Sequence, residues 1–200
     1  EPTSFLDIRY KLELLSILKD MVRRRKLAVL MSLHELDLAQ KVSDYVVCVR
    51  GDAVERQGPP EEIFTPDYIM SLYGAARGSY NALFGSLELE AVSGAPEVFV
   101  IGGGGAGIPA YRKLQRQGVP FAAGVLQEND LDYPAAQALA AEIVSEEPFQ
   151  PVGEASFRQA AEIMARCRRV LCPVERFGPM NEKNRLLRRM AEEAGKLDVG

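Results

Sequence analysis

Tryptophan is absent from this chain, histidine occurs once, at His34, and cysteine three times, at Cys48, Cys167 and Cys172. A single histidine argues against a Ser-His-Asp or Cys-His catalytic set anywhere away from His34. Three cysteines, odd in number and each within or beside an apolar run, do not make a disulfide framework or a metal site; they read as buried cytosolic thiols. No apolar run approaches the ~20 residues that span a bilayer, so a membrane connection has to come through a partner protein. Neither sign of charge dominates: 24 Lys and Arg face 28 Asp and Glu, for a net charge of −4. Without a long basic block, nucleic acid is not an expected partner. The one cluster, Arg23-Arg24-Arg25-Lys26, ends a helical pattern, where cations complement the helix dipole. Also missing is the phosphate-loop pattern G-x-x-x-x-G-K-S/T.

What is present divides into two stretches. In the first, Leu12, Leu15, Leu18 and Val22 recur at helical spacing, with Leu14, Ile17 and Met21 widening the stripe. Leu27-Ala28-Val29-Leu30-Met31 is a short continuous apolar run and predicts a strand buried on both faces. That strand would deliver Ser32, Leu33 and His34 at its C-terminal end, where open α/β sheets bind ligands. A helix over Leu36 to Val42 follows. Tyr45 to Val49 then turns through Arg50-Gly51-Asp52 into Ala53 to Arg56, a hairpin. Gly58-Pro59-Pro60 breaks the pattern before two short helices, the second with Thr65 as N-cap and Pro66 in its first turn.

Four sequence blocks in this stretch carry a family resemblance: Glu1-Pro2-Thr3-Ser4-Phe5-Leu6-Asp7, Leu33-His34-Glu35-Leu36-Asp37-Leu38-Ala39, Gly58-Pro59-Pro60-Glu61-Glu62-Ile63 and Leu72-Tyr73-Gly74. Together they resemble the ATP-binding cassette (ABC) ATPases from the end of the Walker B strand to the C-terminal helices. The likeness is greatest to those of bacterial importers for ferric siderophores, haem and cobalamin. Glu35 stands where Asp is more usual, and Phe5 where a smaller or polar residue is common. The resemblance implies that Glu1 polarises the attacking water and that His34 is the switch histidine at the γ-phosphate, a chemistry of positioning and charge compensation. It further implies that Ser4 and Asp7 belong to the D-loop that meets a second copy, that ATP and Mg2+ are the cofactors of the intact parent, and that the partners are membrane-spanning permease subunits. The location implied is cytoplasmic, peripheral to the inner face of the membrane. Lacking the phosphate loop, the stretch reads as the C-terminal part of such a domain, and alone it is expected not to hydrolyse ATP. Strands without the rest of their sheet would expose edges and apolar faces, which predicts self-association or a rearranged first stretch.

Gly74-Ala75-Ala76-Arg77-Gly78-Ser79 reads as a linker, which places a domain boundary between residues 1–76 and 77–200. Beyond it, Leu87 to Val92 alternates like a strand with one wet face, and Glu97 to Ile101 is a buried strand. Helical and strand patterns then alternate: Ile108 to Gln117, Phe121 to Leu126, Pro134 to Ala141, Glu142 to Ser145, Phe157 to Arg166, Arg169 to Val174 and Asn181 to Gly195. Such alternation predicts a small three-layer, Rossmann-like domain with a parallel sheet, so the chain as a whole is α/β.

The buried strand runs straight into Gly102-Gly103-Gly104-Gly105-Ala106-Gly107, which fits G-x-G-x-x-G as Gly102, Gly104 and Gly107. Bare backbone before a helix admits a phosphate to the helix N-terminus. Glu128 and Asp130 follow the next strand, where an acid would meet a ribose. Glycines also serve tight turns with no ligand, and that reading stays open. Three loops, Gly102 to Gly107, Gln127 to Asp132 and Pro173 to Asn181, are expected to converge at one edge of the sheet, with Asn181 capping the last helix. Asp130 and Asp132 form a weak metal pair; the plain reading makes them turn formers. The candidate ligand set is therefore Gly102, Gly103, Gly104, Gly105, Gly107, Glu128, Asp130 and Asn181, facing an unknown nucleotide-like ligand.

The leading function is the ATP-hydrolysing subunit of a metal-chelate importer with a C-terminal ligand-sensing, regulatory domain. Two alternatives remain: a nucleotide- or dinucleotide-binding enzyme domain, and a purely structural domain that contacts a partner.

Overall fold

The computed structural model describes residues 6–198, and these form two compact units. The first unit runs to Ala76 and takes in Tyr80–Leu87; the second comprises Arg77–Ser79 and the chain from Glu88 on. Glu1 and Ser4 lie outside the described residues.

In the first unit, helix α1 (Ile8–Arg25) starts at Asp7, whose side chain accepts from the Tyr10 N–H at 3.1 Å, and ends on Arg23, Arg24 and Arg25. Both ends follow the electrostatics of a helix, with an anion at the start and cations at the finish. The next helix, α2 (Leu36–Val42), and the hairpin of β1 (Val46–Arg50) and β2 (Ala53–Gly58) fall where the sequence places them. So do α3 (Pro60–Ile63) and α4 (Pro66–Leu72), although the Thr65 side chain makes no capping bond. Cys48, Ile63, Phe64, Ile69 and Tyr80 form the small core.

One expectation fails here. Leu27 to Met31 is not a strand: the run has no ladder partner among the described residues, and Leu30 is 95% exposed. A fully apolar strand is stable only between two others, where its backbone groups pair and both faces are covered. The hairpin β3 (Ser79–Asn81) and β4 (Ser86–Glu88) then corrects two more readings. Part of the supposed linker is strand, and the strand expected over Leu87 to Val92 stops at Glu88.

The second unit is a doubly wound parallel sheet. Its elements are β5 (Val98–Val100), α5 (Ile108–Arg116), β6 (Phe121–Gln127), α6 (Tyr133–Leu139), β7 (Glu142–Glu146), α7 (Glu154–Arg166), β8 (Arg169–Leu171), α8 (Glu182–Glu193) and β9 (Leu197–Asp198). The strand order is β7-β6-β5-β8-β9, all parallel, so the α/β class with a parallel sheet is as expected. The last strand, only two residues long, gave no sequence signal. Helices α5 and α6 cover one face through Tyr111, Leu114, Ala135, Ala136 and Leu139, with Tyr111 stacked on Phe121 at 5.2 Å between ring centres. Helices α7 and α8 cover the other through Ala160, Ile163, Met164, Leu187 and Ala191. This order reverses direction between β5 and β8, and the crevice beyond their C-terminal ends is where open sheets of this kind hold ligands.

The β6–β7 ladder is irregular between Ala123 and Leu126. A Cβ at Gly124 would lie 3.0 Å from Val144 Cβ and 3.1 Å from its carbonyl oxygen, so the close approach there needs glycine. The Val125 peptide leaves the ladder and pairs with a side chain instead. Asn184 of α8 accepts from the Val125 N–H at 3.2 Å and donates to its carbonyl at 2.9 Å, and all of this is buried. Removing the amide strands two buried backbone groups, so Asn184→Ala is expected to lower stability by about 2–3 kcal/mol, read as a shift in urea midpoint at unchanged slope. An equal loss in the exposed control Arg189→Ala would show that the effect belongs to the helix surface and not to the clamp.

Candidate functional site

The glycine loop leaves β5 and enters α5. Gly103, Gly104 and Gly105 have φ of +150°, +63° and +88°, three successive positions that side-chain-bearing residues rarely adopt. Such a turn points its backbone N–H groups inward and makes an anion nest at a helix N-terminus. In this structure the anions are the chain's own. The Asp132 carboxylate accepts from Gly103 at 2.5 Å, Gly107 at 2.8 Å and Ile108 at 3.3 Å. Both oxygens of Asp130 accept from the Gly104 N–H at 2.9 Å, and one accepts from the Asp132 N–H at 2.8 Å.

Packing accounts for the two flanking glycines. A Cβ at Gly102 would stand 2.1 Å from the Tyr111 hydroxyl and 2.9 Å from the Asp132 carboxylate; one at Gly107 would stand 2.5 and 2.7 Å from the same atoms. Asp132 is fully buried. Burial raises its pKa above the ordinary carboxylate value, opposed by the N–H donors of Gly107, Gly103 and Ile108 and reinforced by the charge of Asp130. Tyr111, also fully buried and with no hydrogen-bond partner for its hydroxyl, is pushed well up, first by burial and then by the two carboxylates. The donors that a phosphate would use are thus engaged from within.

The loops expected to converge are tied together. Gln127 at the end of β6 donates to the carbonyls of Gln150, at 3.3 Å, and Met180, at 3.0 Å. Asp130 sits against Gly104, and Glu128 is exposed. Asn181 stands at the N-terminus of α8 without capping it; its side chain turns back to accept from the Gly178 N–H at 2.7 Å, since its own φ of −122° aims it away from the helix. The residue that sequence reasoning underrated is Asp132. Its one sequence signal was an acid closing the loop just before the helical pattern that opens at Pro134.

In the first unit, His34 is exposed at the end of the extended segment before α2. It borders a cavity of about 300 Å³, lined also by Leu36, Asp37, Ile69, Met70, Tyr73 and Leu87. Lys11 of α1 pairs with Glu35 beside it. Asp7 serves as the N-cap of α1. Among the described residues no helix is long and apolar enough to cross a membrane.

Comparison with known proteins supplies the lineage. An uncharacterised ABC transporter ATP-binding protein of Methanocaldococcus jannaschii is 32% identical over 118 residues, 57% of this chain and 40% of that protein. The chain is homologous to ABC transporter ATP-binding proteins. The cobalamin import ATP-binding protein of Halobacterium salinarum is 31% identical over 157 residues, 74% of this chain and 39% of its own length. The ferric enterobactin transport ATP-binding protein of Escherichia coli is 32% identical over 74 residues, 37% of this chain and 27% of its own. The chain therefore spans about two fifths of the length of the first two ABC relatives. The MJ0874 family matches residues 121–198, from β6 to β9. No solved structure matches.

The filled cradle has a pH signature. A carboxyl whose folded pKa is raised stabilises the fold most fully below its unfolded value, ~3.9, and loses that contribution as pH rises through the folded value. Asp132→Asn is expected to remove this part of the decline in stability as pH rises above the ordinary carboxylate range, read by urea unfolding against the parent. Asp132→Ala, which strips the acceptor from three N–H groups, is expected to cost about 3 kcal/mol at low pH and less as pH rises. Parallel parent and Asn curves would place the titration elsewhere.

Proposed function

We propose that this chain forms the C-terminal part of the ATP-binding subunit of an ABC importer for a metal chelate, a ferric siderophore, haem or a corrinoid, with a corrinoid as the substrate favoured. The observation that carries the corrinoid choice is the extent of the matches. An alignment covering 74% of this chain is longer than the first unit, so the match to a cobalamin import protein runs into the second unit. The match to the ferric enterobactin protein is short enough to lie within the first.

In the motor, Glu1 polarises the attacking water and His34 holds the γ-phosphate and that water in line. Bound Mg2+–ATP supplies the phosphoryl group and its charge compensation. His34 fits its part, since it is exposed on the rim of an open cavity. Ser4 and Asp7 meet the second copy of the subunit, and the permease carries the assembly at the inner face of the membrane.

The second unit acts as a ligand-sensing regulatory domain. Its crevice between β5 and β8 is the ligand position of a doubly wound sheet, with the outer face of Gly104 and Gly105, Glu128, Asp130 and the loop ending at Asn181 around it. Because Asp130 and Asp132 hold the loop's N–H groups, a phosphate has to displace a carboxylate to bind. That weighs against the nucleotide- and dinucleotide-enzyme reading and in favour of a ligand recognised without a phosphate on the loop.

A thermal-shift titration of the whole chain with cobalamin, NAD+ and ATP tests the sensor. Cobalamin at a hundredfold excess over its Kd is expected to add about 2.7 kcal/mol of stability and to raise Tm by several degrees. A shift with NAD+ and none with cobalamin would overturn the reading. For the motor, the parent subunit that carries a complete phosphate loop is expected to lose about 100-fold or more in ATP hydrolysis in Glu1→Gln and His34→Ala, with ATP binding retained. Undiminished hydrolysis in both would dismiss these roles.

A further inference from the structure

Resting on the reading of the second unit as a corrinoid sensor, we propose that the turn after β7 is the platform on which the corrin ring lies. Phe149 packs against one face of the macrocycle, and Glu128 and Glu147 accept hydrogen bonds from the carboxamides around its rim. All of these residues belong to the second unit.

Glu147-Pro148-Phe149-Gln150 follows β7 and closes as a turn, the Gln150 N–H donating to the Glu147 carbonyl at 3.2 Å. Its third residue has φ of +61°, a place that glycine or asparagine ordinarily fills, and here it carries a phenyl ring. The ring is 78% exposed, so no packing within the chain offsets the strained backbone. That backbone is nonetheless firmly held. The Phe149 N–H donates to the Asn129 side chain at 3.2 Å, and the Gln127 amide joins the Gln150 carbonyl to that of Met180. The Met180 carbonyl also accepts from the Val152 N–H at 3.0 Å. The loops after β6, β7 and β8 thus hold one aromatic ring outward on a fixed base, with the partly exposed Met180 on the adjoining loop. A ring kept in water at the ligand-bearing edge of a parallel sheet is stabilised when a flat apolar face covers it.

Charge decides which metal chelate fits. The loops 127–132, 146–153 and 173–181 carry Glu128, Asp130, Asp132, Glu146, Glu147 and Glu175 against one cation, Arg176. Asp130, Asp132 and Glu146 are engaged by donors of the chain itself, Glu146 by the Gly153 N–H at 2.8 Å and by the Ser156 hydroxyl. Glu128 and Glu147 are exposed and flank the ring, the first next to Asn129 and the second at the opening of the turn. Haem brings its propionates, and a ferric catecholate siderophore a net negative charge; both meet repulsion on this edge. A corrinoid instead presents a flat, methyl-bearing face edged with primary amides, whose N–H groups suit exposed carboxylates. Nothing in that recognition calls on the glycine-loop N–H groups that Asp130 and Asp132 occupy.

Equilibrium dialysis of the whole chain against cyanocobalamin, with haemin as the anionic comparison, tests the platform. Cyanocobalamin is expected to bind about tenfold more tightly than haemin, or better. Phe149→Gly removes the ring and relaxes the positive φ, so it is expected to hold or raise the urea midpoint while weakening cyanocobalamin about tenfold. Phe149→Tyr, which keeps the aromatic face, should stay within about twofold of the parent, and Glu128→Gln and Glu147→Gln should each weaken binding about threefold. Cyanocobalamin affinity unchanged in Phe149→Gly would overturn the platform and leave the corrinoid reading standing. No cyanocobalamin binding by the parent chain would overturn both. Haemin bound as tightly as cyanocobalamin would remove the corrinoid as the occupant that the charge selects.

Discussion

The second unit is organised around one buried carboxylate. Asp132 draws three N–H groups of the glycine loop and of α5 onto itself, and with Asp130 it anchors the loop after β6 to the loop after β5. Neighbouring features answer to it: the left-handed turn at Gly103 to Gly105, the bare backbone at Gly102 and Gly107, and the tight seat of Tyr111 beneath them. Burial makes an unpaired charge costly, and the converging amides are what make this one tolerable. A glycine-rich strand-to-helix turn is thus no assurance of a vacant phosphate site, because the same N–H geometry serves an internal anion equally well.

Much of the fold could be read from period and punctuation. The helix starting at Pro66, the helix opening at Leu36 and the parallel alternation after Glu97 all followed from local pattern. What escaped was whatever depends on distant partners. Leu27 to Met31 has the composition of a central strand, yet composition cannot supply the flanking strands that would make it one. Leu87 to Val92 alternates correctly, but its pairing ends at Glu88, where the side chain turns to Arg112. Leu197–Asp198 is strand only because Val170 and Leu171 lie beside it.

The candidate site was legible in its parts and misjudged in its relations. Gly102 to Gly107, Asp130 and the loop ending at Asn181 were all singled out, and the fold brings their loops to one edge of the sheet. Their bonding partners were not foreseen. Asp130 faces Gly104 where a ribose was expected, Asn181 caps Gly178 in place of its own helix, and Asp132 holds the centre. Which of several acceptors an N–H finds is decided by three-dimensional proximity, and spacing along the chain carries little of that information.

Asn184 adds an order of events. It closes on the Val125 peptide across 59 residues of chain, and that peptide sits in the strand next to the centre of the sheet. Contacts of such separation form late, after the intervening loop entropy has been overcome. During synthesis the strands β5, β6 and β7 emerge well before α8, with one peptide of β6 lacking its partners until Asn184 arrives. A nascent chain halted anywhere in that interval would present an open sheet edge and an unsatisfied peptide to the cell's chaperones and proteases.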